Sequence, residues 1–135
     1  MQSPSPLPPL FLAATPSSPE IDFRFEQHTL SIKGESYPEN AAAFYGPLIA
    51  AVRAYLEGCR EAAITVNVSL AYFNRSSTKM LFTLFDTLNQ AAIDGNQVRL
   101  NWYHDEDDDT ILEFGQELQQ DFTALDFCDH PVRGS

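Results

Sequence analysis

The sequence predicts a single two-layer α/β domain, a four-stranded mixed sheet with helices mainly on one face, in the order β-β-α-β-α-β-α. Three observations predict it. Four stretches alternate apolar and polar residues with period two, the mark of strands buried on one side only. Three others carry apolar residues at helical spacing. Finally, the strand–helix–strand unit in the middle of the chain calls for a right-handed parallel crossover. Strands covered by helices on both sides would be apolar throughout, so the helices are expected on one face. With 135 residues and 44% hydrophobic content, the chain suffices for one domain with a real core and not for two.

The elements follow in order. Residues 1–19 hold six of the nine prolines, interleaved with serines, a composition that cannot bury enough surface to fold alone. They are read as a flexible tail, lightly docked through Leu7, Leu10, Phe11 and Leu12. The domain is expected to span 20–130, with 131–135 frayed. Ile21, Phe23 and Phe25 alternate with Asp22, Arg24 and Glu26 as a first strand, and a turn at Gln27-His28 leads to a second through Leu30 and Ile32. The pair reads as a hairpin. After the polar connection Gly34 to Asn40, a helix runs through Phe44, Leu48, Ile49, Val52, Tyr55 and Leu56. Pro47 inside it predicts a kink or restart, and Gly58 ends it.

The third strand places Ile64, Val66, Val68 and Leu70 on one side and Thr65, Asn67 and Ser69 on the other. A tight polar turn follows, and then a helix with Met80, Leu81, Leu84, Phe85, Leu88 and Ala92 on one face. Gly95 is the expected left-handed residue behind it. The fourth strand carries Val98, Leu100 and Trp102 inward. The last helix follows the acidic run Asp105 to Asp109, with Ile111, Leu112, Phe114 and Leu118 inward. Phe122, Leu125 and Phe127 are expected to pack back on the body.

Charge narrows the function classes. Nineteen acids against eight bases leave a net charge of −11, with no basic stripe to neutralise phosphates. Nucleic acid and anionic membrane are therefore not expected partners. No run approaches the ~18 apolar residues of a membrane span, and the apolar Leu10 to Ala14 segment has no basic residue before it. The chain reads as cytoplasmic. Cys59 and Cys128 show no metal-ligand spacing and read as reduced thiols.

The turn between third strand and second helix holds the most chemistry. Asn74-Arg75-Ser76-Ser77-Thr78-Lys79 gathers an amide, a guanidinium and three hydroxyls where a helix begins. A helix N-terminus presents free N–H groups and a positive dipole end. Its hydroxyls can cap the helix or receive a phosphate. The acidic run could suggest a divalent cation, but it lacks the alternating ligands, central glycine and closing glutamate of a calcium loop. It reads as a solvated loop favouring the N-terminus of the third helix. A rival reading, a small metal-dependent hydrolase, would use His104 as an acid/base beside these carboxylates.

Three motifs together carry a resemblance: Gly34-Glu35-Ser36-Tyr37-Pro38-Glu39-Asn40, Tyr72-Phe73-Asn74-x-Ser76-Ser77-x-Lys79, and Asn101-Trp102-Tyr103-His104-Asp105. In this order they resemble the SiaC-type family of small bacterial regulatory phosphoproteins, over about Thr15 to Phe127. The resemblance implies a fold similar to STAS domains, the fold of anti-sigma-factor antagonists, and partner switching without catalysis; no cofactor or metal is expected. In such proteins a serine/threonine kinase phosphorylates the turn before the second helix and a PP2C-type phosphatase removes the phosphate. The unmodified form binds and activates a diguanylate cyclase, which links the system to cyclic-di-GMP and biofilm or aggregation behaviour. In the family pattern a threonine or serine usually follows the asparagine and accepts the phosphate. Here Arg75 stands there, so the acceptor candidates are Ser76 and Ser77. The resemblance places the switch and partner surface on Tyr37, Asn74, Arg75, Thr78 and Lys79. It leaves room for a homodimer, and for a constitutive, unphosphorylated scaffold of the same fold.

Overall fold

The structure, a computed structural model, describes residues 8–133. Its strands are β1 (Leu10–Leu12), β2 (Glu20–Arg24), β3 (Thr29–Ser36), β4 (Ala63–Phe73), β5 (Gln97–Asp105) and β6 (Asp126–Val132). The helices are α1 (Ala41–Glu57), α2 (Arg75–Ile93) and α3 (Asp109–Asp121), with a 3-10 turn at Phe25–Gln27. All six strands join one sheet in chain order. The β1–β2–β3 part is antiparallel, and β3 to β6 run parallel. No helix among the described residues is long and apolar enough to cross a membrane.

Alternation sorts the sheet into two faces as expected. Ile21, Phe23, Leu30, Ile32, Ile64, Val66, Val68, Leu70, Val98, Leu100 and Trp102 are buried under the helices. Asp22, Ser31, Thr65, Asn67, Ser69, Asn101 and Tyr103 are half-buried on the other face, and Arg24, Lys33 and Arg99 are exposed. That open face satisfies itself. Asn67 Nδ2 reaches Ser31 Oγ at 3.5 Å, Asn101 Nδ2 donates to Asn67 Oδ1 at 2.9 Å, and His130 Nε2 lies 2.9 Å from Asn101 Oδ1.

The sheet has six strands, where four were expected. The two additions are the edges. Leu10–Leu12, placed in the tail by composition, pairs with β2 in register Leu10 to Phe23. Three residues are too few to display a period. Residues 1–7, including Leu7, lie outside the described part. At the other edge, Pro131 and Val132, expected to fray, extend β6 alongside His104 and Asp105. Proline is tolerated there because alternate N–H groups of an edge strand face solvent. The short β1, and the Asp126, Asp129 and Pro131 of β6, also discourage strand addition by a second chain.

Pro47 does not restart the first helix, because α1 is continuous through it. Pro47 and Ala43, whose carbonyl loses its helical donor, are both exposed, so water can take the place of the missing N–H. Gly58 ends α1 in right-handed geometry, while Gly95 adopts φ 115 behind α2 as its position required. Cys59 and Cys128 are both free.

Candidate functional site

The parallel strands β3, β4 and β5 end side by side, and each of the three motifs lies at one of those ends. Ser36 pairs with Phe73 at the last step of the β3–β4 ladder. Gly34 sits at a register shift of that ladder with φ 125, where a side chain would be strained. A Cβ there would meet Pro19 Cα at an ordinary contact distance of 3.5 Å, so the backbone angle and not crowding calls for glycine. Loops at the carboxyl ends of parallel strands are where such sheets place their sites.

Asn74 caps α2. Its Oδ1 accepts from Ser77 N–H at 2.9 Å, and its own N–H donates to Ser36 O at 2.9 Å. The cap is thus the amide, not one of the hydroxyls. Thr78 Oγ1 instead donates back to Asn74 O at 3.1 Å. Arg75, Ser76 and Ser77 form the first turn, where N–H groups have no intrahelical partner.

The two candidate serines occupy opposite environments. Ser77 is 0% exposed. Its hydroxyl donates to Ser36 O at 3.0 Å and accepts from Ser36 Oγ at 2.8 Å, and Ser36 Oγ is in turn bonded to Tyr45 Oη. Burial holds the Tyr45 phenol well above the ordinary tyrosine value, up to about 12. Ser76 is exposed and lines a groove of about 600 Å³ between the starts of α1 and α2, together with Glu39, Asn40, Ala41, Ala42, Lys79 and Met80. Arg75 and Lys79 are exposed on either side of it in sequence. Beside this turn the Tyr37 and Tyr72 rings meet edge to face, with centroids 5.7 Å apart and both rings partly in solvent.

The structure therefore brings together Tyr37, Asn74, Arg75, Ser76, Thr78 and Lys79, and it turns Ser77 inward. Sequence reasoning missed Tyr45, and it quoted Ser36 and Tyr72 within the motifs without giving either a role. The signal for Ser36 was its period: after Leu30, Ile32 and Gly34 it falls on the inward face, where a hydroxyl needs a partner.

His104 is not a loop residue. It ends the inward series Val98, Leu100, Trp102 and is 4% exposed. Nε2 lies 2.8 Å from Asp129 Oδ1 and Nδ1 lies 2.9 Å from Asp105 O, so both ring nitrogens are occupied by structural partners. The acidic run turns from β5 into α3. Asp105 Oδ1 accepts from Asp107 N–H at 2.8 Å, and Asp108 Oδ1 caps α3 through Ile111 N–H at 3.1 Å. Among the described residues no group of three or more His, Cys, Asp or Glu side chains could hold a metal ion.

Known proteins are similar to this chain in sequence and fold. An uncharacterized protein of Pseudomonas aeruginosa strain UCBPP-PA14 is 32% identical over 113 residues, which is 83% of this chain and 88% of that protein. The crystal structure of apo-SiaC from Pseudomonas aeruginosa superposes with a TM-score of 0.84 at 28% identity, over 92% of this chain and 99% of that one. A chain in the crystal structure of the diguanylate cyclase SiaD in complex with its activator SiaC, from the same organism, also matches with a TM-score of 0.84 at 28% identity, over 91% of this chain and 99% of that one. Residues 12–132 match the family described as SiaC family regulatory phosphoprotein, and this chain belongs to that family.

Proposed function

We propose that this chain is a non-enzymatic, cytoplasmic regulator in a phosphorylation-controlled partner switch. A serine/threonine kinase phosphorylates it at Ser76, a PP2C-type phosphatase reverses the step, and the unmodified form binds and activates a diguanylate cyclase, so controlling cyclic-di-GMP and biofilm formation or aggregation. Ser76 carries the reading. It is the exposed hydroxyl of the first α2 turn, placed where the three motifs converge, while the Ser77 hydroxyl is buried and spent. A phosphate on Ser76 would bring about −1.5 to −2 charges at pH 7. The helix N-terminus and the Arg75 guanidinium can hold it, so the fold tolerates it. A partner docked across Tyr37, Tyr72, Arg75 and Lys79 would have to desolvate it. The solved pairing of SiaC with SiaD, at 28% identity to this chain, supports a cyclase as that partner.

Arg75 favours a second reading, a constitutive scaffold, because the position after the capping asparagine holds no hydroxyl. One experiment separates the two. The protein is incubated with the source cell's kinase and ATP, its sites are mapped by mass spectrometry, and cyclase binding is titrated. Label on Ser76, lost in Ser76→Ala, with cyclase binding weakened by about 2 kcal/mol or more in Ser76→Asp, supports the switch. Absence of label on residues 74–79, with Ser76→Asp binding like wild type, leaves the scaffold.

A further inference from the structure

We propose that Tyr45, Ser36 and Ser77 form a positioning device that ties the Ser76 turn to the exposed Tyr37–Tyr72 pair. The idea rests on the reading of Ser76 as the switch residue. Counting protons fixes the direction of the chain. Ser36 has one hydroxyl proton, which goes to Ser77 Oγ at 2.8 Å, and Ser77 gives its own to Ser36 O at 3.0 Å. Tyr45 must therefore donate to Ser36 Oγ. The path is a single one: the Tyr45 phenol to the Ser36 hydroxyl, to the Ser77 hydroxyl, to the Ser36 carbonyl. That carbonyl also takes Asn74 N–H at 2.9 Å, so both its lone pairs are filled.

Ser36 is thereby held from two sides. Asn74 and Ser77 of the α2 start grip its carbonyl and hydroxyl, and Tyr45, fully buried on α1, grips the hydroxyl from behind. The residue after Ser36 is Tyr37, whose N–H donates to Ser17 O at 2.8 Å and whose ring meets Tyr72. Tyr72 lies two residues before Asn74. A displacement of the first α2 turn therefore reaches Ser36 through hydrogen bonds, and the two rings through the adjoining backbone of Tyr37 and of Tyr72 to Asn74. A negative charge at Ser76 pulls on that turn through its free N–H groups and positive dipole end. Satisfied buried hydroxyls move together, because parting any one strands a polar atom.

The test needs no kinase. The full chain is labelled with carbon-13 in its tyrosine rings, and the Tyr37 and Tyr72 signals are assigned by Tyr37→Phe and Tyr72→Phe. Ser76→Asp is expected to move both signals. In a Ser77→Ala or a Tyr45→Phe background the same charge should move them about threefold less, a coupling read as a double-mutant cycle. A purely structural role would lower the unfolding midpoint and leave the displacement intact, which would overturn the proposal. So would a Ser76→Asp spectrum with both signals unmoved. Should Ser77→Ala fail to fold, Tyr45→Phe, which deletes one oxygen, carries the test. Failure of kinase labelling at Ser76 would sink the partner-switch reading but not this coupling.

Discussion

Ser77 Oγ and Ser36 exchange two hydrogen bonds, 2.8 Å hydroxyl to hydroxyl and 3.0 Å hydroxyl to carbonyl, across 41 residues of sequence. This exchange pins the first turn of α2 to the end of β3. It also separates two adjacent serines into a structural residue and a surface one.

That separation predicts unequal costs. Ser77→Ala should destabilise the domain by about 1–3 kcal/mol, because the buried Ser36 hydroxyl loses its acceptor. Ser76→Ala should stay within about 0.5 kcal/mol of wild type. Urea unfolding followed by circular dichroism measures both, and equal effects would remove the distinction.

The acidic turn should behave as a cap and not as a metal site. Asp108→Asn keeps the side-chain oxygen that accepts from Ile111 N–H and should be nearly neutral, whereas Asp108→Ala should cost about 1 kcal/mol. Calorimetric titration with Mg²⁺, Ca²⁺, Mn²⁺ and Zn²⁺ should give only weak, salt-screened binding. A tight site abolished by Asp107→Asn and Asp108→Asn would revive the hydrolase reading.

Gly115 predicts a packing failure. A Cβ there would lie 2.7 Å from both Trp102 Cδ1 and Nε1, and 3.2 Å from Phe127 Cζ. Trp102 is buried, donates Nε1–H to Ile111 O at 3.0 Å, and stacks on Phe114. Gly115→Ala should therefore lose about 1–3 kcal/mol despite its better helix propensity. The Trp102 fluorescence should shift with it. A stabilised variant would mean that the ring yields freely.

Tyr45 predicts an alkaline limit. Burial raises its phenol to about 12, above the ordinary value of 10.0. Between those values the unfolded chain releases a proton that the folded chain keeps, so stability falls as pH rises through that window. Below about pH 10 the contribution is present in full. Burial, with Cys59 beside it, pushes Tyr55 the same way. Urea midpoints from about pH 8 to 12 should fall less steeply in Tyr45→Phe than in wild type. Identical slopes would assign the alkaline loss to Tyr55 or elsewhere.

Elements that carry a period were legible from residue order alone. Alternation in β2 to β5 and helical spacing in α1 to α3 fixed which faces meet, because a side chain's direction follows from local geometry alone. The same periods, extended one step, reach Ser77, first read with the polar turn, and His104, first weighed as an acid/base. Ser77 lies one turn before Leu81 on the apolar face of α2, and His104 continues Val98, Leu100 and Trp102. The remaining features arise from pairing between distant parts of the chain. β1 and β6 exist as strands because β2 and β5 offer them hydrogen-bonding edges, a partner that no short segment announces. Which serine faces water, and the gathering of Ser36, Tyr45 and Ser77 at one point, depend on parallel strands ending together. That proximity comes from pairing between residues far apart in the chain.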